Sequence, residues 1–234
     1  MKIQFVLDEI RYALNWMYYR IRGKRYNIIV GKKVRIHKET SFEGKNRVGE
    51  YTNVALSRLG RGSYLGKNCR LTRCDIGRYT SIADEVSLVA GKHPMHEYIS
   101  TSPMFYSQVY GGGWSYVKQE YFSPYKFVDV GNRWSVKIGS DVWLGRGVKV
   151  FEGVTIGDGV VVGAFSLVTK NLEPYGIYVG SPAKLVGYRY DSSIVDLLME
   201  YKWWNKEEVW IKENADLFRD IEAFCEMMRK EENE

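Results

Sequence analysis

Taking every sixth residue from Ile138 gives Ile138, Leu144, Val150, Ile156, Val162 and Val168. The register two places earlier gives Val136, Val142, Val148, Val154, Val160 and Ser166. Eleven of these twelve are Ile, Leu or Val, although those types fill only 53 of the 234 positions, so the spacing is not chance. The same period runs upstream through Leu59, Leu65 and Leu71, then Ile76, Ile82 and Leu88. Its one five-residue step, Leu71 to Ile76, predicts a coil shortened by a residue. Val30-Gly31 and Val48-Gly49 mark fainter, earlier turns. A period of six cannot be an α-helical stripe, whose period is 3.6. It fits an all-β solenoid, a parallel β-helix in which each side of a triangular coil points one aliphatic residue inward. Glycines follow the inward register at Gly60, Gly66, Gly77, Gly139, Gly145, Gly157 and Gly163, where a corner is expected to want freedom in φ.

Three segments depart from the repeat. Residues 1–27 hold an amphipathic helix with Ile3, Val6, Leu7, Ile10, Leu14, Met17 and Ile21 on one face. That stripe is expected to cover the open end of the first coil, and membrane-surface contact is the less favoured reading. The β-helix then occupies residues 28–186, broken by a loop at 89–135 in which eleven of 47 residues are aromatic and Gly111-Gly112-Gly113 sits in the middle. Long loops in compact folds are usually functional. Residues 187–234 return to helical spacing (Ile194, Leu197, Leu198, Tyr201; Ala215, Phe218, Ile221, Phe224) and predict a C-terminal helical cap.

Composition narrows the function classes. Hydrophobic residues make up 45% and charged residues 26%, a globular balance. Mean hydropathy is −0.33, and no apolar run approaches the ~18 residues of a membrane span. Cys69, Cys74 and Cys225 are odd in number, which argues against a disulfide framework and for a reducing cytoplasm. The start, broken early by Asp8, Glu9 and Arg11, does not read as a secretory signal. The only histidines, His37, His93 and His96, are too few and badly spaced for a His-rich metal site. Residues 1–25 carry six basic and two acidic side chains, and the net charge of +6 has no nucleic-acid motif behind it.

Ile138-Gly139-Ser140-Asp141-Val142-Trp143-Leu144-Gly145, Gly153-Val154-Thr155-Ile156-Gly157-Asp158-Gly159, Ser166-Leu167-Val168-Thr169-Lys170 and Gly180-Ser181-Pro182-Ala183-Lys184 together resemble the hexapeptide acyltransferases. The end of the chain, Arg189-Tyr190 with Leu197-Leu198-Met199-Glu200-Tyr201-Lys202-Trp203-Trp204-Asn205, is similar to their xenobiotic acetyltransferase branch. The loop run Gly91-Lys92-His93-Pro94 and Ser100-Thr101-Ser102-Pro103-Met104-Phe105 looks like members that acetylate sugars and surface polysaccharides. Drug-modifying members carry Arg where this chain has Pro94.

The resemblance implies a left-handed coil, a homotrimer with sites between subunits and acetyl-coenzyme A as donor; no metal is expected, since Cys69 and Cys74 lie on the repeat with no partner histidines at their spacing. Transfer to a hydroxyl needs a base, and a neutral imidazole is suited to take the proton. His93 is the expected base and His96 the decoy. By resemblance Trp143 shapes the pantetheine channel, Gly145 admits the thioester, and the Arg146 N–H faces the acyl oxygen. Ala164 and Ser166 would flank the pantetheine, with Thr169, Lys170, Lys184 and Arg189 toward the nucleotide. Tyr106, Tyr110 and Trp114 are candidates to stack on an acceptor. The expected reaction is O-acetylation of a sugar or glycan; N-acetylation of an amino sugar or an antibiotic is the alternative.

Overall fold

The computed structural model describes residues 2–110 and 113–231, so Gly111 and Gly112 lie outside the described residues. Short strands stack into a solenoid with three faces. The first runs through Ile29–Val30, Arg47–Val48, Tyr64–Leu65, Ser81–Ile82, Trp143–Leu144, Val161–Val162 and Gly176–Val179, all parallel. Lys184–Tyr188 closes it antiparallel to Gly176–Val179. The second face carries Arg35–Ile36, Asn53–Ala55, Arg70–Thr72, Ser87–Val89, Lys149–Phe151 and Leu167–Val168. The third carries Ser41–Phe42, Arg58–Leu59, Cys74–Ile76, Val136–Ile138 and Val154–Ile156.

Each face buries one column of aliphatic residues. Val48, Leu65, Ile82, Leu144 and Val162 pair in register down the first face, each at most 1% exposed. The coil shortened by one residue is present, since Leu59 pairs with Ile76 seventeen positions on. Val54 to Leu59 is a second five-residue step, because Val54 pairs with Leu71 in the same way.

The register two residues before each inward position changes character along the chain. In the later coils it is valine from Val136 to Val160, with Ser166 last. In the earlier ones it is Thr40, Asn46, Thr52, Ser57, Ser63, Cys69, Cys74 and Thr80, all nearly inaccessible. These small polar groups stitch coil to coil: Ser63 Oγ donates to the Gly77 carbonyl at 2.7 Å and accepts the Thr80 N–H at 2.8 Å. Thr80 Oγ1 in turn donates to the Gly139 carbonyl at 2.7 Å. Cys69 and Cys74 hold two such positions, with Cys69 Sγ 3.2 Å from the Ala83 carbonyl. Their role is structural.

The glycines after the inward column are placed for a different reason from the one expected. Gly60, Gly77, Gly139, Gly145 and Gly157 do not have positive φ. A Cβ on any of them would come within 2.5–2.7 Å of backbone atoms in the next coil. Close coil stacking selects glycine there, and positive φ falls on other residues such as Lys33, Tyr51, Asn68 and Glu85.

Helix α1 (Lys2–Arg22) packs on the first coil with the face opposite to the expected stripe. Trp16 Nε1 donates to the Gly31 carbonyl at 2.8 Å and Asn15 Nδ2 to the Ile36 carbonyl at 3.1 Å. Tyr19 Oη donates to the Thr40 carbonyl at 3.4 Å. The Gly31, Ile36 and Thr40 carbonyls at this open edge accept from α1, a need that aliphatic side chains would not meet. Leu7, Ile10, Leu14, Met17 and Ile21 are left exposed. The side chains of Ile3 and Val6 lie outside the described residues. At the other end, helices α2 (Ser192–Tyr201), α3 (Glu208–Glu213) and α4 (Ile221–Glu231) bury their own cluster of Leu198, Trp203, Trp204, Phe224, Cys225 and Met228.

Candidate active site

The loop leaves the second face after Val89 and re-enters at Val136 on the third. Its base is tied: the Lys92 N–H donates to the Pro124 carbonyl at 3.0 Å, and the Glu152 N–H to the Val89 carbonyl at 3.1 Å. Burial raises the pKa of the Glu152 carboxyl, and the backbone N–H groups of Lys126 and Gly91 act against that rise. Inside the loop, Tyr106 is 1% exposed, and its ring meets His93, Tyr98 and Phe122 edge-on at 5.3–6.3 Å. Tyr106 therefore has no open face for an acceptor to stack on, which corrects the expectation for it. Tyr110 packs on Tyr125 at 5.8 Å and is partly exposed, while Trp114 is 75% exposed.

His93 is anchored through one nitrogen. Its Nδ1 lies 2.7 Å from the Thr101 carbonyl oxygen and 2.9 Å from Tyr106 Oη. A carbonyl can only accept, so Nδ1 carries the proton, shared between Thr101 and the tyrosine oxygen. Nε2 is then the nitrogen with the free lone pair, on a side chain exposed to solvent. His96, three residues on, makes no comparable hydrogen bond among the described residues. The Tyr106 hydroxyl was not legible as a partner of His93, because the twelve intervening residues have no periodic spacing to align them.

The expected donor residues gather along the first and second faces of the later coils. Trp143 is half exposed on the first face, paired with Ser81 and Val161. Gly145 donates its N–H to the Val162 carbonyl at 2.8 Å, and a Cβ on it would meet Ala164 N at 2.6 Å. Arg146 follows at the corner. Its side chain pairs with Glu85 at 2.6 Å and its carbonyl accepts the Phe165 N–H at 2.7 Å. Ala164 is exposed beside it. Ser166 is buried, its Oγ accepting the Gly180 N–H at 3.0 Å, so its side chain belongs to the inter-coil stitching and does not flank a ligand. The Ala183 N–H donates to the Leu167 carbonyl at 2.8 Å, and Lys170 and Lys184 are exposed.

Arg189 is turned inward, away from the role expected of it. It donates to the Asp141 carboxylate at 2.8 Å and the Gly159 carbonyl at 2.9 Å, and sits over the rings of Tyr175 and Tyr190. Burial holds the Asp141 carboxyl above its usual pKa, with the Arg189 charge acting against that. A cation already neutralised and partly desolvated has little left for a phosphate. Arg189 instead lines a cavity of about 420 Å3 under the C-terminal helices, whose walls include no residue of the loop.

Among the described residues no three His, Cys, Asp or Glu side chains are grouped to hold a metal ion, and no helix is long and apolar enough to cross a membrane.

The family described as bacterial transferase hexapeptide (six repeats) matches residues 135–170. A probable macrolide acetyltransferase of Lysinibacillus sphaericus is 33% identical over 157 residues, 66% of this chain and 82% of that protein. A chloramphenicol acetyltransferase of Klebsiella aerogenes is 37% identical over 134 residues, and the match spans 58% of its length. A hexapeptide-repeat acetyltransferase of Vibrio cholerae O1 biovar eltor, solved with acetyl-coenzyme A, is 20% identical with a TM-score of 0.45, covering 74% of this chain and 76% of that one. The chain belongs to the hexapeptide-repeat transferases, among relatives that are acetyltransferases. Acetyl-coenzyme A is the donor such enzymes use.

Proposed function

We propose that the protein transfers acetyl from acetyl-coenzyme A to a hydroxyl of a sugar or glycan acceptor, with His93 as the general base. The observation that carries this reading is the fixed imidazole: the Thr101 carbonyl accepts a hydrogen bond from Nδ1–H at 2.7 Å, which leaves Nε2 to accept a proton. The acceptor hydroxyl gives its proton to Nε2 as its oxygen attacks the thioester carbonyl carbon. Negative charge moves to the carbonyl oxygen, where the Arg146 N–H is the proposed donor. Collapse breaks the carbon–sulfur bond, and the imidazolium returns the proton to the departing thiolate. Trp143, Gly145 and Ala164 are proposed to border the pantetheine arm. Thr169, Lys170 and Lys184 are proposed to face the nucleotide phosphates.

A homotrimer with sites between subunits suits the topology. The Arg146 corner and the His93 loop leave the second face at opposite edges, about 16 Å of strand apart. A neighbouring copy could bring one edge to the other. The loop also exposes Ile99, Trp114 and Tyr116, the latter two at 75% and 73%, which is costly for a surface that meets only water.

Transfer to an antibiotic is the second reading, favoured by the names of the relatives at 33–37% identity. Release of free coenzyme A, followed with oligosaccharides, nucleotide sugars, chloramphenicol and a macrolide as acceptors, decides between them. Acceptor-dependent thiol release with a saccharide supports the proposal; release with the drugs alone replaces it with the second reading. No release with any acceptor, together with no stabilisation by acetyl-coenzyme A, would contradict both.

A further inference from the structure

The acetyl-transfer reading makes no use of the outer face of α1. Leu7, Ile10, Leu14, Met17 and Ile21 recur every three or four residues along it and are 43–69% exposed, with Tyr18 beside them. Because Asn15, Trp16 and Tyr19 hold the coil, the apolar side of this amphipathic helix is turned away from the protein. Of the two acids in residues 1–25, Glu9 is tied to Arg35 of the first coil. Lys24 and Arg25, in the turn directly after the helix, are exposed and form no ion pair among the described residues.

We propose that α1 and the turn after it form a docking surface for an anionic lipid bilayer. The helix lies in the plane of the headgroups, its Leu, Ile and Met side chains enter the acyl boundary, and Lys24 and Arg25 meet lipid phosphates. An exposed aliphatic stripe with flanking cations on a helix too polar to span is the pattern that binds such interfaces. Charge decides between a membrane and a second copy of the same face. Pairing two such helices would bring together two segments of net +4, whereas an anionic surface attracts each of them.

Sedimentation of the full chain with vesicles of equimolar phosphatidylglycerol and phosphatidylcholine tests this, with phosphatidylcholine alone as reference. The chain is expected to pellet with the anionic vesicles and to be released by high salt. Leu14→Glu/Met17→Glu should abolish retention while melting temperature and any acetyl-coenzyme A-dependent thiol release stay at wild-type values. Lys24→Glu/Arg25→Glu should weaken retention by about tenfold or more, and it tests the proposal should the apolar variant unfold. Absence of vesicle binding, or undiminished binding by both variants, would overturn the proposal. Concentration-dependent dimerisation that Leu14→Glu/Met17→Glu removes would overturn it too, by assigning the face to a second copy.

Discussion

The coil stack and the loop that interrupts it solve opposite problems with opposite residues. In the coils, each rung repeats one inward aliphatic residue, and aliphatic residues lie above one another because parallel strands pair in register. A residue's environment there is fixed by its position in the repeat. Among the described residues, 90–135 form no regular strand, and their packing is carried by aromatic contacts among Tyr98, Tyr106 and Phe122 around His93. The stack supplies rigidity and, in the proposed reading, a place for the donor; among the described residues the loop supplies the one histidine held by a carbonyl. Stability should therefore be lost by changes in the stack and activity by changes in the loop.

The largest effect on stability is expected from Ile82→Ala. It opens a cavity in a column where Leu65 and Leu144 pack above and below, costing about 2–5 kcal/mol, read by denaturant unfolding. Ser63→Ala removes a hydroxyl that both donates and accepts between coils, and about 1–3 kcal/mol should follow from the groups left unpaired. Tyr106→Phe sharpens the contrast from the loop side. It should lower kcat by about fivefold, the worth of one hydrogen bond, with KM for acetyl-coenzyme A and melting temperature nearly unchanged. A loss of stability as large as that of Ile82→Ala would make Tyr106 a structural anchor with no part in orienting His93.

The smallest effect concerns the cysteines of the stack. Burial pushes the Cys69 thiol up to about 11 and the Cys74 thiol up to about 12. The thiolate is the reactive form, and a raised pKa leaves almost none of it at pH 8. Iodoacetamide should label neither residue in the folded protein and both once it is unfolded. Labelling of the folded chain would show that the early coils open locally.

The stack was legible because its period is strict: the inward columns from Ile138 to Val168 and from Leu59 to Leu88 are as read. The Val54 to Leu59 step was missed because Ala55, and not the glycine that marks other turns, follows Val54. The buried polar column from Thr40 to Thr80 was missed because serines, threonines and cysteines do not announce burial. Gly145 was expected for access and is required by Ala164 in the next coil, a contact between residues nineteen positions apart that no local rule displays. The two ends divide the same way. Helical spacing foretold both terminal helical segments, but amphipathicity alone could not say which face of α1 meets a coil edge of bare carbonyls. In the loop, the flanking motif singled out His93, whereas burial of Tyr106 depends on how a non-repeating segment folds on itself.

Turnover of acetyl-coenzyme A by His93→Ala and His96→Ala, measured side by side under saturating acceptor, tests the central claim most directly. His93→Ala should lose about 100-fold or more in kcat, the usual worth of a positioned base, while its affinity for acetyl-coenzyme A holds and His96→Ala keeps most of its activity. Wild-type turnover by His93→Ala, or a greater loss in His96→Ala, would contradict the account.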